Sequence, residues 1–218
     1  MAATHSFLDG QDRAAAQVAA QASPLIPEGA TILTLSSSST VRIALELNGR
    51  ERSTRVICLE SRPMSEGAHL ARSLSEAGLQ VVYAIDAAAG SLIRHADLIL
   101  LGCDSLGDRG VVNKVGSLAL ASLARDRGIP VHILLDRSKL LPLGFPQMVE
   151  DDRPGDEVLS GATGIKVWNR YFEVMPLGSV TSIVTEDGTA SPVEAQEFRS
   201  RIRVPPELRA WAEARASD

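Results

Sequence analysis

The sequence predicts an α/β fold: a doubly wound, mostly parallel sheet with helices on both faces. Three observations carry this reading. Short, nearly continuous apolar runs recur between residues 31 and 135, as expected of strands buried on both faces. Helix-length stretches, several closed by Gly, separate them. Right-handed crossovers between such strands then place helices on both sides of the sheet.

Taken in order, TILTL (31–35) is β-branched and apolar and ends in the hydroxyl cluster Ser36, Ser37, Ser38, Ser39 and Thr40. A helix follows, with Val41, Ala44, Leu45 and Asn48 at helical spacing and Gly49 at its end. RVICLE (55–60) is the second strand, followed by a helix from about Met64 to Ala77 with Gly78 behind it. LQVVYAI (79–85) is the third, with a short Ala-rich segment over 86–95. DLILLGC (97–103) is the fourth, leading through a Gly-containing loop to a helix predicted from about Val111 to Arg127, which Gly128 stops. IPVHILL (129–135) is the fifth, and VTSIVTEDG (180–188) supplies a sixth. An Ala-rich helix from about Gln11 to Ala22 precedes the sheet and ends at Pro24 and Pro27. Residues 136–168 form a polar, Pro-containing excursion, and the Arg-rich tail is helix-prone. The predicted organisation is a helical lead (1–30), one sheet domain (31–188) and a helical tail (189–218).

Composition narrows the function. The 218 residues carry 22 Lys and Arg against 27 Asp and Glu, a net charge of −5 that argues against direct nucleic-acid binding. No apolar run approaches the ~20 residues a bilayer requires, and no basic segment precedes an apolar one at the N-terminus. A cytoplasmic protein with no membrane partner is expected. Cys58 and Cys103 sit in apolar runs without a CxxC or Cys/His cluster, so they read as core residues, and neither metal nor cofactor is expected. The excess of Arg over Lys, 19 to 3, reads as compositional bias.

Open α/β sheets bind ligands beyond the carboxyl ends of their strands, where strand order reverses. An order of 3-2-1-4-5-6 puts that point between the first and fourth strands and brings Ser36 and Asp104 together. Ser37, Ser38 and Ser39 continue the first of these ends, and Arg62 follows the second strand. In the loop 102–116, Gly107 and Gly110 permit tight turning. A helix starting near Val111 would offer an anion its first-turn N–H groups and positive dipole end, with Asn113 and Lys114 in the same turn. Each residue also has a structural reading: the serines as helix cap, Asp104 as turn cap, Asn113 as helix-start hydrogen-bonder, Lys114 and Arg62 as surface charges. The spacing is not that of a P-loop and no GxGxxG follows the first strand, which disfavours a nucleoside triphosphatase or an ordinary dehydrogenase. Together these residues point to a phosphorylated small ligand.

Three segments, CLESRPMSEG (58–67), ADLILLGCDSLGDRGVVNKVGSLALASLARDRGIPVHI (96–133) and NRYFEVMPLGSVTSIVTEDG (169–188), resemble the Rossmann-like C-terminal domain of one family. It holds the alpha, beta and delta subunits of eukaryotic translation initiation factor 2B and the isomerases of methylthioribose-1-phosphate and ribose-1,5-bisphosphate. The resemblance implies catalysis by an aspartate, here Asp104, and by a cysteine whose position falls on Ser36 or a neighbour. It implies sugar-phosphate contacts from Arg62, Asn113, Lys114 and the loop after Ser36, with Gly110 in the turning loop added from the local reading. It implies association as a homodimer or with related subunits, and a helical N-terminal domain for which only about 30 residues remain here. A thiol is readily tuned toward neutral pKa, whereas a serine hydroxyl needs a neighbouring base. Cys103 adjoins Asp104, but strand alternation sends neighbours to opposite faces. The leading expectation is a sugar-phosphate- or nucleotide-binding protein of regulatory type. The alternative is an aldose–ketose isomerase using Asp104 as acid/base with Ser36.

Overall fold

The computed structural model describes residues 2–49, 52–149, 152–161 and 163–216. The chain forms α1 (Ala2–Ala22), β1 (Thr31–Leu35), α2 (Ser39–Gly49), β2 (Arg55–Leu59), α3 (Gly67–Glu76), β3 (Gln80–Ala84), α4 (Ala89–Leu92) and β4 (Leu98–Leu101). It continues through β5 (Ser105–Gly107), β6 (Gly110–Lys114), α5 (Ser117–Arg125), β7 (Val131–Leu134), β8 (Phe172–Met175), β9 (Ser182–Thr185), β10 (Gly188–Ala190), α6 (Pro192–Ser200) and α7 (Pro206–Ala216).

Seven strands make the main sheet in the order β3-β2-β1-β4-β7-β9-β10, which is the expected 3-2-1-4-5-6 with one strand added. All pairs are parallel except β9 with β10, where the tight turn around Asp187 forces an antiparallel return. In register, Leu33 of β1 lies between Ile57 of β2 and Ile99 of β4.

Side-chain alternation divides the apolar residues between two cores. Ile32, Val56, Leu98 and Leu100 point to one face and pack with Val18, Ala19 and Ala22 of α1, Leu45 of α2 and Leu70 of α3. Leu33, Ile57, Ile99 and Leu101 point to the other and pack with Leu120, Ala121 and Ala124 of α5 and Ala195 of α6. Both faces are therefore covered, as the continuous apolar strands require. Among the described residues, no helix is long and apolar enough to cross a membrane.

Two expectations are corrected. The helix that follows the second strand, α3, begins at Gly67 rather than near Met64. Ser61 and Ser65 adopt φ of 63° and 57°, and the Asp86 carboxylate accepts hydrogen bonds from the Ser61 and Arg62 N–H groups, both at 2.8 Å, which holds this stretch as a turn. The larger correction concerns Val111 to Lys114, which are strand rather than helix. Gly107, Asp108, Arg109 and Gly110 form a hairpin with two loop residues, and β6 pairs with β5 and with the distant β8 in a separate three-stranded sheet. The consecutive β-branched pair Val111-Val112 suits that pairing better than a helix start. The α-helix begins only at Ser117.

Candidate functional site

The carboxyl ends of β1 and β4 open into a cavity of about 260 Å³ lined by Ser36, Ser37, Ser38, Ser39, Glu66, Gly102, Cys103, Asp104, Asn113, Lys114, Lys139 and Phe172. Ser36 leaves β1 with φ of 66°, turning the chain sharply into the hydroxyl loop. Ser38 caps α2 by accepting a hydrogen bond from the Val41 N–H at 3.4 Å, so its structural reading holds alongside its place in the wall. The end of β4 approaches closely because Gly102 has no side chain: a Cβ there would lie 2.7 Å from Ser38 Oγ. Topology at the switch point brings Ser36 and Asp104 to one cavity.

Asn113 and Lys114 reach that cavity from β6 and not from a helix turn. The Asn113 side-chain amide donates to Ser117 Oγ at 2.9 Å, and Ser117 Oγ donates to the Lys114 carbonyl at 2.6 Å, which pins the end of the strand to the start of α5. The N-terminus of α5 already holds an anion of this chain. Glu173 Oε1 accepts from the Gly116 and Leu118 N–H groups, both at 2.8 Å. The helix end proposed for a ligand phosphate is thus occupied by a carboxylate of β8, which satisfies its free donors and its dipole.

Two predicted residues lie outside the cavity wall. Gly110, with φ of 123°, sits at the hairpin turn, where a Cβ would meet the Met175 carbonyl at 2.3 Å, so its need is close packing of β6 on β8. Arg62 is exposed, and its guanidinium donates to the Val158 carbonyl in the excursion at 3.4 Å.

The electrostatics of the cavity centre on four charged groups. Desolvation raises the Asp104 pKa, while Lys139 and then Lys114 pull it down. Lys114, with a side chain only 3% exposed, pairs with Glu66 at 2.6 Å and stands 4.8 Å from the Tyr171 ring centre. Lys139 has no ion pair or side-chain hydrogen bond among the described residues. Cys103 also meets the wall, because the β4 ladder ends at Leu101 and strand alternation no longer separates Cys103 from Asp104. Burial pushes its thiol strongly up, with Lys139 opposing and Asp104 and Asp136 adding to the shift. Cys58 lies in the other core, and burial likewise pushes its thiol up, to about 12. A second, more apolar cavity of about 410 Å³ adjoins the first, sharing Asp104 and Phe172 and adding Val112, Leu141, Pro146 and Met148.

The model of the Initiation factor 2 subunit family matches residues 1–192. The chain belongs to that family. A translation initiation factor eIF-2B subunit 2-like protein of Pyrococcus horikoshii is 32% identical over 85% of this chain and 67% of its own length. A methylthioribose-1-phosphate isomerase of Pelotomaculum thermopropionicum is 33% identical over 82% of this chain and 55% of its own. A ribose 1,5-bisphosphate isomerase of Thermococcus kodakarensis is 28% identical over 88% and 63%. The chain thus spans between about half and two thirds of these relatives. Among solved structures, the translation initiation factor eIF-2B of P. horikoshii OT3 superposes with a TM-score of 0.77 at 31% identity, covering 87% of this chain and 68% of that one. The 5-methylthioribose 1-phosphate isomerase of the same organism gives 0.78 at 25% identity over 88% and 61%.

Within this family fold, three wall residues lie outside the set the sequence predicts: Lys139, Glu66 and Phe172. Lys139 had a signal. Lysine occurs three times in the chain, at 114, 139 and 166, and two of those three line the cavity. Where Arg is the default cation, a Lys marks a place that wants a compact, flexible point charge. Glu66 and Phe172 gave no local signal, since a turn and a long-range strand pairing bring them in.

Proposed function

We propose that this member of the Initiation factor 2 subunit family binds a phosphorylated sugar or nucleotide at the carboxyl ends of β1 and β4, in a regulatory or sensing role. The observation that carries the reading is a cavity that joins the serine loop and Lys139, two fitting partners for a phosphate, and offers no reactive thiolate. Position 36 is a serine, and the nearby Cys103 is held as a thiol by its burial. The adjoining apolar cavity gives room to a base or an alkyl substituent on the sugar. Lys114, Asn113 and Asp104 face the sugar in this reading, and Arg62 joins them only by leaving the Val158 carbonyl that it meets outside the wall. The protein works in the cytoplasm as a homodimer or beside related subunits, whose surface covers the open side of the cavity, without direct contact to nucleic acid.

A second reading is favoured by Asp104. A carboxyl with a raised pKa in a cleft suits an acid/base in aldose–ketose isomerisation. Calorimetric titration of the protein and its Asp104→Asn variant with ribose 1-phosphate and nucleoside monophosphates tests both readings. Saturable binding by the native protein supports them, and the absence of heat with every compound removes them. Ketose formation followed by proton NMR then separates enzyme from sensor. Activity gained only by Ser36→Cys would show a competent site that lacks its nucleophile.

A further inference from the structure

Lys114 is already spoken for. Its ammonium is 2.6 Å from Glu66 Oε1 and is almost wholly buried. The other carboxylate oxygen, Glu66 Oε2, is itself buried and meets no hydrogen-bond donor, although Glu66 lines the cavity. The backbone around it is closely constrained. Ser65 sits at φ of 57°, and at Gly67 any Cβ would fall 1.8 Å from the Leu59 carbonyl. The backbone therefore holds residue 66 at the wall, and the ion pair with Lys114 keeps its carboxylate there with one acceptor oxygen unused.

The charges of the wall are unequally matched. The serine hydroxyls and Lys139 offer donors and a positive charge that makes no ion pair among the described residues and is opposed only through space by Asp104. Lys114 and Glu66 cancel, and a second phosphate brought to that pair would meet a carboxylate at short range. The Glu66 side chain is 35% exposed and one of its oxygens has no donor among the described residues, so a ligand hydroxyl that meets the carboxylate, with a small rotation of its oxygens, satisfies it where a phosphate is repelled.

We propose that Glu66 is the specificity-determining residue of the cavity, limiting the ligand to one anionic group, seated by Ser36–Ser39 and Lys139, with a hydrogen-bond donor turned toward Glu66. The proposal rests on the phosphorylated-ligand reading above, and its test keeps the two apart. The native protein and Glu66→Gln, an isosteric change checked by thermal melting, are titrated calorimetrically with inorganic phosphate, ribose 1-phosphate and ribose 1,5-bisphosphate. The native protein is expected to favour the monophosphate. Glu66→Gln is expected to raise affinity for the bisphosphate relative to the monophosphate by at least about tenfold, the scale of one unit charge removed at close range. A native protein that prefers the bisphosphate overturns the proposal without any variant. A ratio unchanged or lowered in Glu66→Gln also overturns it, while monophosphate binding leaves the broader reading standing. No heat from either protein with any probe removes the reading and the proposal together.

Discussion

The two sheets of this protein reach the same cavity by different physical routes. The seven-stranded sheet is built from consecutive strand–helix units, so each strand lies near its sequence neighbours and shows a local apolar signature. The three-stranded sheet takes β5 and β6 from one hairpin and β8 from beyond the long excursion, with Val111 paired to Met175. The first supplies Ser36 and Asp104 from strand ends. The second supplies Asn113, Lys114 and Phe172 from strands that no local pattern disclosed. The difference teaches that the topological switch point sets where the cavity lies, and the small sheet closes one wall of it with Asn113, Lys114 and Phe172.

The largest effects separate the two sheets by stability. Leu100 is fully buried in the centre of β4, and Leu100→Ala is expected to cost about 2–5 kcal/mol through lost transfer energy and a cavity. Urea denaturation should show one cooperative transition at a lower midpoint. Gly110→Ala puts a Cβ 2.3 Å from the Met175 carbonyl at φ of 123°, an expected cost of about 2–3 kcal/mol confined to β5, β6 and β8. Amide hydrogen exchange should then quicken in those strands while the centre of the main sheet keeps its protection. Equal loss of protection in both sheets would show that they unfold as one unit and that the division has no energetic meaning.

That contrast explains what was readable. The main sheet, its strand order and the meeting of Ser36 with Asp104 followed from periodicity and chirality, because both act between adjacent segments. The hairpin is masked because Val111 to Lys114 precede a real helix, so the Gly-Asp-Arg-Gly turn has the pattern of a helix lead-in. The anion at the start of α5 was not readable at all. Glu173 arrives there only through the β6–β8 pairing, more than fifty residues downstream of Gly116. Glu66 is placed by a turn that depends on Asp86, again from another strand–helix unit.

A smaller effect tests how the small sheet is anchored. Arg199 of α6 is fully buried, and its guanidinium donates to the Leu141 carbonyl at 2.6 Å and to Asp108 at 2.5 Å in the hairpin turn. It joins the turn between β5 and β6 to the segment that follows Lys139. Arg199→Met keeps most of the volume but strips these acceptors, of which Asp108 is half-exposed and regains water. A cost of about 1–3 kcal/mol is expected. Ligand affinity should fall at temperatures where the variant stays folded, because Lys139 and the hairpin lose their common brace. An affinity equal to that of the native protein would restrict α6 to a stabilising role.

The smallest effect concerns Asp104, where the two routes meet. Its pKa is raised chiefly by desolvation, so the folded state binds its proton more tightly than the unfolded chain. The sign follows from linkage. The group's favourable contribution is complete below the ordinary carboxylate range and is lost as pH rises through its elevated folded value, leaving ionised Asp104 a burden at neutrality. Asp104→Asn removes that burden. Because the carboxylate faces an open cavity, water screens much of the cost, and a gain of only about 0.5 kcal/mol near pH 7 is expected. The gain should vanish near pH 3, where the aspartate is protonated in both states. Thermal melting at the two pH values checks this. A native carboxyl that is worth removing for stability, yet whose removal weakens ligand binding, is held there for the ligand rather than for the fold. A variant that melts lower near pH 7 would instead make Asp104 part of the framework, its charge compensated by Lys139 and Lys114.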